Sequence, residues 1–153
     1  SPDDAVTVGV GFSSAHEAGE PFSPGSRCPP AGPSCGYGAW MDSCVFCRIV
    51  NGEISAAKVL ETARSLAFRD LSPQAPTHVL VVPRTHTANV AELALVEPET
   101  TAELVRVAAA IAETEGLDGH YRVVLNTGSG VGQSVFHTHL HLLGGRPMSW
   151  PPG

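Results

Sequence analysis

The stretch that most constrains this chain is "GQSVFHTHLHLLGG", residues 132–145, where His137, His139 and His141 alternate with other residues in an otherwise apolar run. Phe136, Leu140, Leu142 and Leu143, bounded by the turn-prone "NTGSGVG" and by Gly144-Gly145, mark a β-strand. Side chains alternate along a strand, so the three imidazoles share one face and Phe136, Thr138, Leu140 and Leu142 share the other. A single such histidine would be read as a satisfied core residue. Three on one face ask for a use, because every buried ring nitrogen needs a partner. Two uses fit: gathering a metal such as zinc, or attacking phosphorus with the neutral imidazole that predominates at pH 7 for a group of pKa ~6.5.

The preceding loop, "NTGSGVGQS" from Asn126 to Ser134, weighs toward phosphorus. Its glycines at 128, 130 and 132 are expected to offer backbone N–H groups to an anion, and Ser134 adds a hydroxyl three residues before His137. No Gly-Lys-Ser/Thr follows, so it is not a P-loop. A glycine loop alone would be a hairpin connection; beside imidazoles it becomes a phosphate cradle. Cys44 and Cys47 form a C-x-x-C that, with His78 and His86, would make a closed tetrahedral zinc site, though spacing does not fix which histidines join it. Two buried thiols are the plainer alternative. A redox pair is disfavoured because no thioredoxin-like βαβ pattern surrounds the motif. Asp70, closing "AFRDL", is either a surface acid or an acceptor for a ribose diol. Phe46, Ile49, Phe68 and Leu71 are either core or an apolar slot for a nucleobase.

At 153 residues, with 42% hydrophobic and 16% charged residues, one globular domain is expected. A net charge of −6 gives no general pull toward nucleic acid or an anionic membrane, and no apolar run approaches the ~20 residues of a transmembrane helix. Composition changes near Met41. Residues 1–40 are rich in glycine and proline, with Arg27 their only Arg or Lys, and predict a disordered leader, read as a tag, a linker or a misassigned upstream segment and not as a convincing signal peptide. Cys28 and Cys35 lie within it and are assigned no role. Residues 41–153 carry regular patterning, and a lone C-x-x-C without a signal peptide points to the cytoplasm.

Within that domain the pattern predicts a short helix over 44–51 with Val45, Phe46 and Ile49 inward. A hairpin follows, with arms at Val59-Leu60 and Leu66–Phe68, and then a central strand "THVLVVP" ending at Pro83. Residues 98–115 predict one long helix: Pro98 in the first turn, Glu99 and Glu103 near the positive end, Gly116 as the stop, and Leu104, Ala108 and Ile111 as the buried stripe. "YRVVLN" and "VFHTHLHLL" are the last two strands. The fold class is α+β: an antiparallel sheet of about five strands with one long and one short helix.

These residues resemble the histidine-triad (HIT) family. "HTHLHLL" is similar to its signature, and "GQSVFHTHLHLLGGRPMSWPPG", "FCRIVNGEI", "AFRDLSPQAPTHVLVVP" and "YRVVLNTG" resemble its Hint branch of purine nucleoside phosphoramidases from about Ser43 to Gly153. The resemblance implies a homodimer whose sheet continues across a two-fold axis. It implies hydrolysis of nucleoside 5′-phosphoramidates, with His139 forming a nucleotidyl-histidine, His137 and His141 orienting it and steadying phosphoryl oxygens, and His78 completing the set. It places Asn126, Gly132 and Ser134 at phosphate or leaving group and Asp70 at the ribose. Phe46, Ile49, Phe68, Leu71 and Leu80 would line the base pocket, with Trp150 near the other protomer's site. It also implies structural zinc on Cys44, Cys47, His86 and His137, so that His137 could not remain a free phosphate contact. Thr138 stands where a larger apolar residue is usual. The alternatives are a dinucleoside polyphosphate hydrolase, a nucleotide-binding partner protein of low activity, and a zinc-dependent hydrolase.

Overall fold

A computed structural model describes residues 43–153; the proposed leader, with Cys28 and Cys35, lies outside the described residues. Five antiparallel strands form one sheet in the order β1-β2-β3-β5-β4. They are β1 (Lys58–Glu61), β2 (Ser65–Arg69), β3 (Thr77–Pro83), β4 (Tyr121–Val124) and β5 (Leu140–Gly144). Helix α1 (Val45–Val50) precedes them, and α2 (Val90–Val96) and α3 (Pro98–Thr114) intervene between β3 and β4. No helix among the described residues is long and apolar enough to cross a membrane.

The alternation of side chains divides the core in two. On one face Ala67, Val79, Val81, Leu140 and Leu142 pack against Leu104, Val107, Ala108 and Ile111 of α3. On the other, Leu66, Phe68, Leu80 and Val82 pack against Phe46 and Ile49 of α1. β3 is buried along its whole length, as its apolar run on both faces requires. Val45, expected inward, is exposed, while Phe46 and Cys47 are buried. The six-residue α1 shows its opposite side to the sheet.

α3 begins with Pro98, as expected, and ends in a Schellman motif: Leu117 N–H reaches Ala112 O at 3.0 Å and Gly116 N–H reaches Glu113 O at 3.0 Å. Gly116 takes φ +67°, which a side chain would resist. Glu103 accepts from Thr62 Oγ1 (2.6 Å) and Ser65 Oγ (3.0 Å), fastening the first hairpin to α3 rather than serving the helix end. α2 is an addition to the expected elements. Asn89 caps it, its side chain accepting from Ala91 and Glu92 N–H.

The histidine strand differs most from expectation. β5 starts at Leu140, so His137 and His139 lie on a lead-in segment outside the ladder. Phe136, expected to be buried, is 55% exposed. Pro83 ends β3 and has no N–H to continue the ladder. The lead-in is held instead by Thr138 N–H to Thr87 O (2.7 Å) and by the paired hydroxyls of Thr87 and Thr138 (2.7 Å), all buried. That explains a hydroxyl where an apolar side chain is usual. Thr138→Val is expected to cost about 1–3 kcal/mol by stranding the Thr87 hydroxyl, and the double change Thr87→Val/Thr138→Val to return most of it. Urea-unfolding midpoints of the three proteins check this.

Candidate active site and metal centre

The imidazoles sit where β3 and β5 run side by side, and their hydrogen bonds assign the protons. Gln74 N–H donates to His78 Nδ1 (3.1 Å), so His78 carries its proton on Nε2. That Nε2–H faces His141 Nδ1 at 2.9 Å, with Asp70 Oδ2 also near it at 3.5 Å. His141 Nδ1 is therefore the acceptor and its Nε2 bears the remaining proton. His141 Nε2 is buried with no partner among the described residues. A buried N–H left unpaired is a binding position for an acceptor such as a phosphoryl oxygen.

His139 is set by a different bond. Its Nδ1 lies 2.7 Å from the His137 carbonyl oxygen and donates to it, which leaves Nε2 as a bare lone pair. The ring sits edge-on to Phe46, centroids 5.2 Å apart, and 4.9 Å from the His141 ring. The arrangement leaves His139 Nε2 unbonded beside an unpaired N–H.

His137 faces elsewhere. Its Nε2–H donates to the Pro83 carbonyl at 2.9 Å, turning Nδ1 toward Cys44 Sγ (3.5 Å), Cys47 Sγ (3.5 Å) and His86 Nδ1 (3.2 Å); His86 Nδ1 lies 3.2 Å from Cys47 Sγ. A tetrahedron with zinc–nitrogen bonds of ~2.0–2.1 Å and zinc–sulfur bonds of ~2.3 Å has edges of about 3.3 Å between nitrogens and about 3.6 Å from nitrogen to sulfur. The nitrogen–nitrogen edge and the two edges from His137 to sulfur match, the Cys47–His86 edge is somewhat short, and all four donor atoms lie within 4.8 Å of one another, so the residues fit a structural zinc. His78, one of the histidines that spacing alone suggested, is instead committed to His141 and Asp70. Burial and the neighbouring Cys44 push the Cys47 thiol up to about 12, so a cation is what would hold its thiolate there.

Next to His139 a cavity of about 270 Å³ is walled by Phe46, Ile49, Ile54, Phe68 and Leu80, with Asp70 at its mouth. Asp70 Oδ1 accepts from Ser72 N–H at 2.7 Å, which fixes the carboxylate at the end of β2. Leu71 borders the cavity but is 98% exposed, and Trp150 is 83% exposed on this chain. The glycine loop needs correction. Gly128 N–H is spent on Gln133 Oε1 (2.8 Å) and Gly132 N–H on Ser129 O (3.1 Å), so those two amides are not available to an anion. Asn126 is half-buried and Ser134 exposed; neither side chain, nor the Ser134 N–H, hydrogen-bonds another described residue, so both side chains are available.

Burial, then the nearby charges of His139 and His78, lower His141 to about 4, outweighing Asp70, and burial also lowers His78. A depressed histidine stabilises the fold above its unfolded value of ~6.5 and loses that contribution as pH falls toward the folded value. Unfolding midpoints are therefore expected to fall between about pH 6.5 and pH 4, and His141→Asn to flatten that slope; urea titrations across this window check it.

The HIT domain matches residues 51–148. An uncharacterised HIT-like protein of Synechococcus elongatus is 47% identical over 109 residues, covering 71% of this chain and 96% of its own length. A "14 kDa zinc-binding protein" of Zea mays is 46% identical over 112 residues, covering 71% and 87%. The crystal structure of a HIT family hydrolase from Legionella pneumophila superposes with a TM-score of 0.69 at 50% identity, covering 72% of this chain and 99% of that one. A five-stranded antiparallel sheet with three imidazoles at the end of its central strands has these relatives for good reason: the chain belongs to the HIT domain family.

Proposed function

We propose that the protein hydrolyses nucleoside 5′-phosphoramidates, preferring purines, through a nucleotidyl-histidine on His139. The observation that carries this reading is the pairing of a bare His139 Nε2 with an unpartnered His141 Nε2–H beside an apolar slot. The nucleobase would enter the slot between Phe46, Ile49, Phe68 and Leu80, with Leu71 closing over it and Asp70 accepting from the ribose hydroxyls. That leaves the α-phosphorus facing His139.

His139 Nε2 forms the bond to phosphorus as the bond to the amine nitrogen breaks. The departing amine takes up a proton from solvent water, and the Ser134 hydroxyl would steady it by a hydrogen bond while keeping its own proton. His141 Nε2–H and the Asn126 side chain would hold the phosphoryl oxygens. Gly132 is retained here for the shape its positive φ gives the loop, not for its amide. Once phosphorylated on Nε2, the His139 ring is cationic, and its Nδ1–H bond to the His137 carbonyl stabilises that charge. Water then attacks phosphorus and gives up a proton to solvent, the nitrogen–phosphorus bond breaks, and the ring leaves neutral. His137 thus acts through its carbonyl, while its side chain belongs to the metal cluster.

Cys44, Cys47, His86 and His137 would hold zinc, which would supply a rigid clamp at the lead-in; four protein ligands leave no position for substrate. The zinc-binding relative from maize supports this assignment. Two copies would join their sheets and bring Trp150 of one toward the site of the other, in the cytoplasm.

Amine release from an adenosine 5′-phosphoramidate of a fluorescent amine tests the reaction. His139→Ala is expected to lower turnover by about 10³-fold or more while still binding adenosine monophosphate. Slow wild-type release left unchanged by the substitution would sink the reading. For the metal, about one zinc per chain is expected by elemental analysis. Removal by a chelator is expected to lower the thermal midpoint, and Cys44→Ser/Cys47→Ser to lose both the zinc and the chelator's effect.

A further inference from the structure

Gln133 is a buried polar side chain, 3% exposed, that the sequence pattern did not mark. Its Oε1 accepts from Gly128 N–H (2.8 Å), and its Nε2 donates to Ala88 O (2.7 Å) and Val135 O (3.1 Å). Its own backbone N–H returns to Gly128 O at 3.2 Å. Both protons of the amide and its oxygen are thus spent on the protein, so Gln133 has no N–H left to offer a ligand. What it joins is informative. One contact fixes the start of the glycine loop. A second reaches the segment after β3, two residues beyond His86. The third holds the backbone just before His137.

We propose that Gln133 is a positioning residue: it sets the Gly128–Ser134 loop so that Ser134 meets the phosphate of a bound nucleotide. The inference rests on the phosphoramidase reading for its substrate, but its geometry stands apart from that reaction. Gly128 sits at φ +96° and Gly132 at φ +94°, conformations that glycine enters and leaves freely, so a tie is what selects one shape for the loop. The exposed residues between them are held by turn bonds alone, Gly132 N–H to Ser129 O at 3.1 Å and Val131 N–H to Gly128 O at 3.4 Å. Gln133 supplies the only side-chain bond to this loop among the described residues. A side chain that orders phosphate contacts without touching the base should alter recognition of the phosphate and not of the nucleoside.

Gln133→Met keeps the length and removes every polar bond. It is expected to weaken binding of adenosine monophosphate by about 10- to 100-fold, the range of one or two lost contacts to a charged group, and to leave adenosine binding within about twofold. Turnover of the phosphoramidate should fall with it. An equal loss for both ligands would mean general disruption and would overturn the proposal, as would no loss for either. Inactive wild-type protein that still shows the expected ratio of losses would sink the reaction and leave Gln133's role standing. Should Gln133→Met not fold, wild-type amide exchange decides: Gly128 should be protected in the free protein, and Ser134 should gain protection only when adenosine monophosphate binds. No gain at Ser134 overturns the proposal.

Discussion

The bond from the His137 ring to the Pro83 carbonyl determines what the rest of the site can be. Pro83 has no N–H, so β3 cannot carry the ladder onward. By taking the proline's carbonyl with a side chain, His137 ends the sheet in an ordered way and turns its other nitrogen toward Cys44, Cys47 and His86. Its backbone carbonyl is then free for the ring of His139. One residue uses its two nitrogens and its carbonyl on three different structures. The sheet's end, the metal cluster and the proposed nucleophile's tautomer all follow from it.

Much of the fold was legible because its signals are local or periodic. α3 announced itself through Pro98, the Leu104–Ala108–Ile111 stripe and Gly116; β3 did so through an apolar run ended by Pro83. What escaped had a tertiary cause. α2 is only seven residues long and buries Leu93 alone, so periodicity gives little signal, although Asn89 with Glu92 three residues on is a capping pattern. Strand alternation placed Phe136 inward, but the strand had not yet begun. The loop glycines looked free because sequence does not show that Gln133 and Ser129 accept their N–H groups.

The imidazoles illustrate the same division. Their shared face was readable from a spacing of two. Which nitrogen carries each proton was not, because it depends on Gln74 N–H for His78 and on a carbonyl for His139. The candidate metal ligands come from three segments distant in sequence, and spacing had no means of preferring His137 over His78. Resemblance to the family supplied that pairing, and the distances among the four donors fit it.

α1 carries a consequence for how the protein can vary. Within a single turn and a half, the N-cap Cys44 and Cys47 lie on one side and Phe46 and Ile49 on another, so the candidate metal donors and the wall of the slot share one backbone. A residue inserted between Phe46 and Cys47 falls inside both i,i+3 pairs, and would turn one member of each away from the other by about 100°. At that junction the two properties are inherited as a unit: a descendant can exchange side chains at either place, but a shift of register there dismantles both.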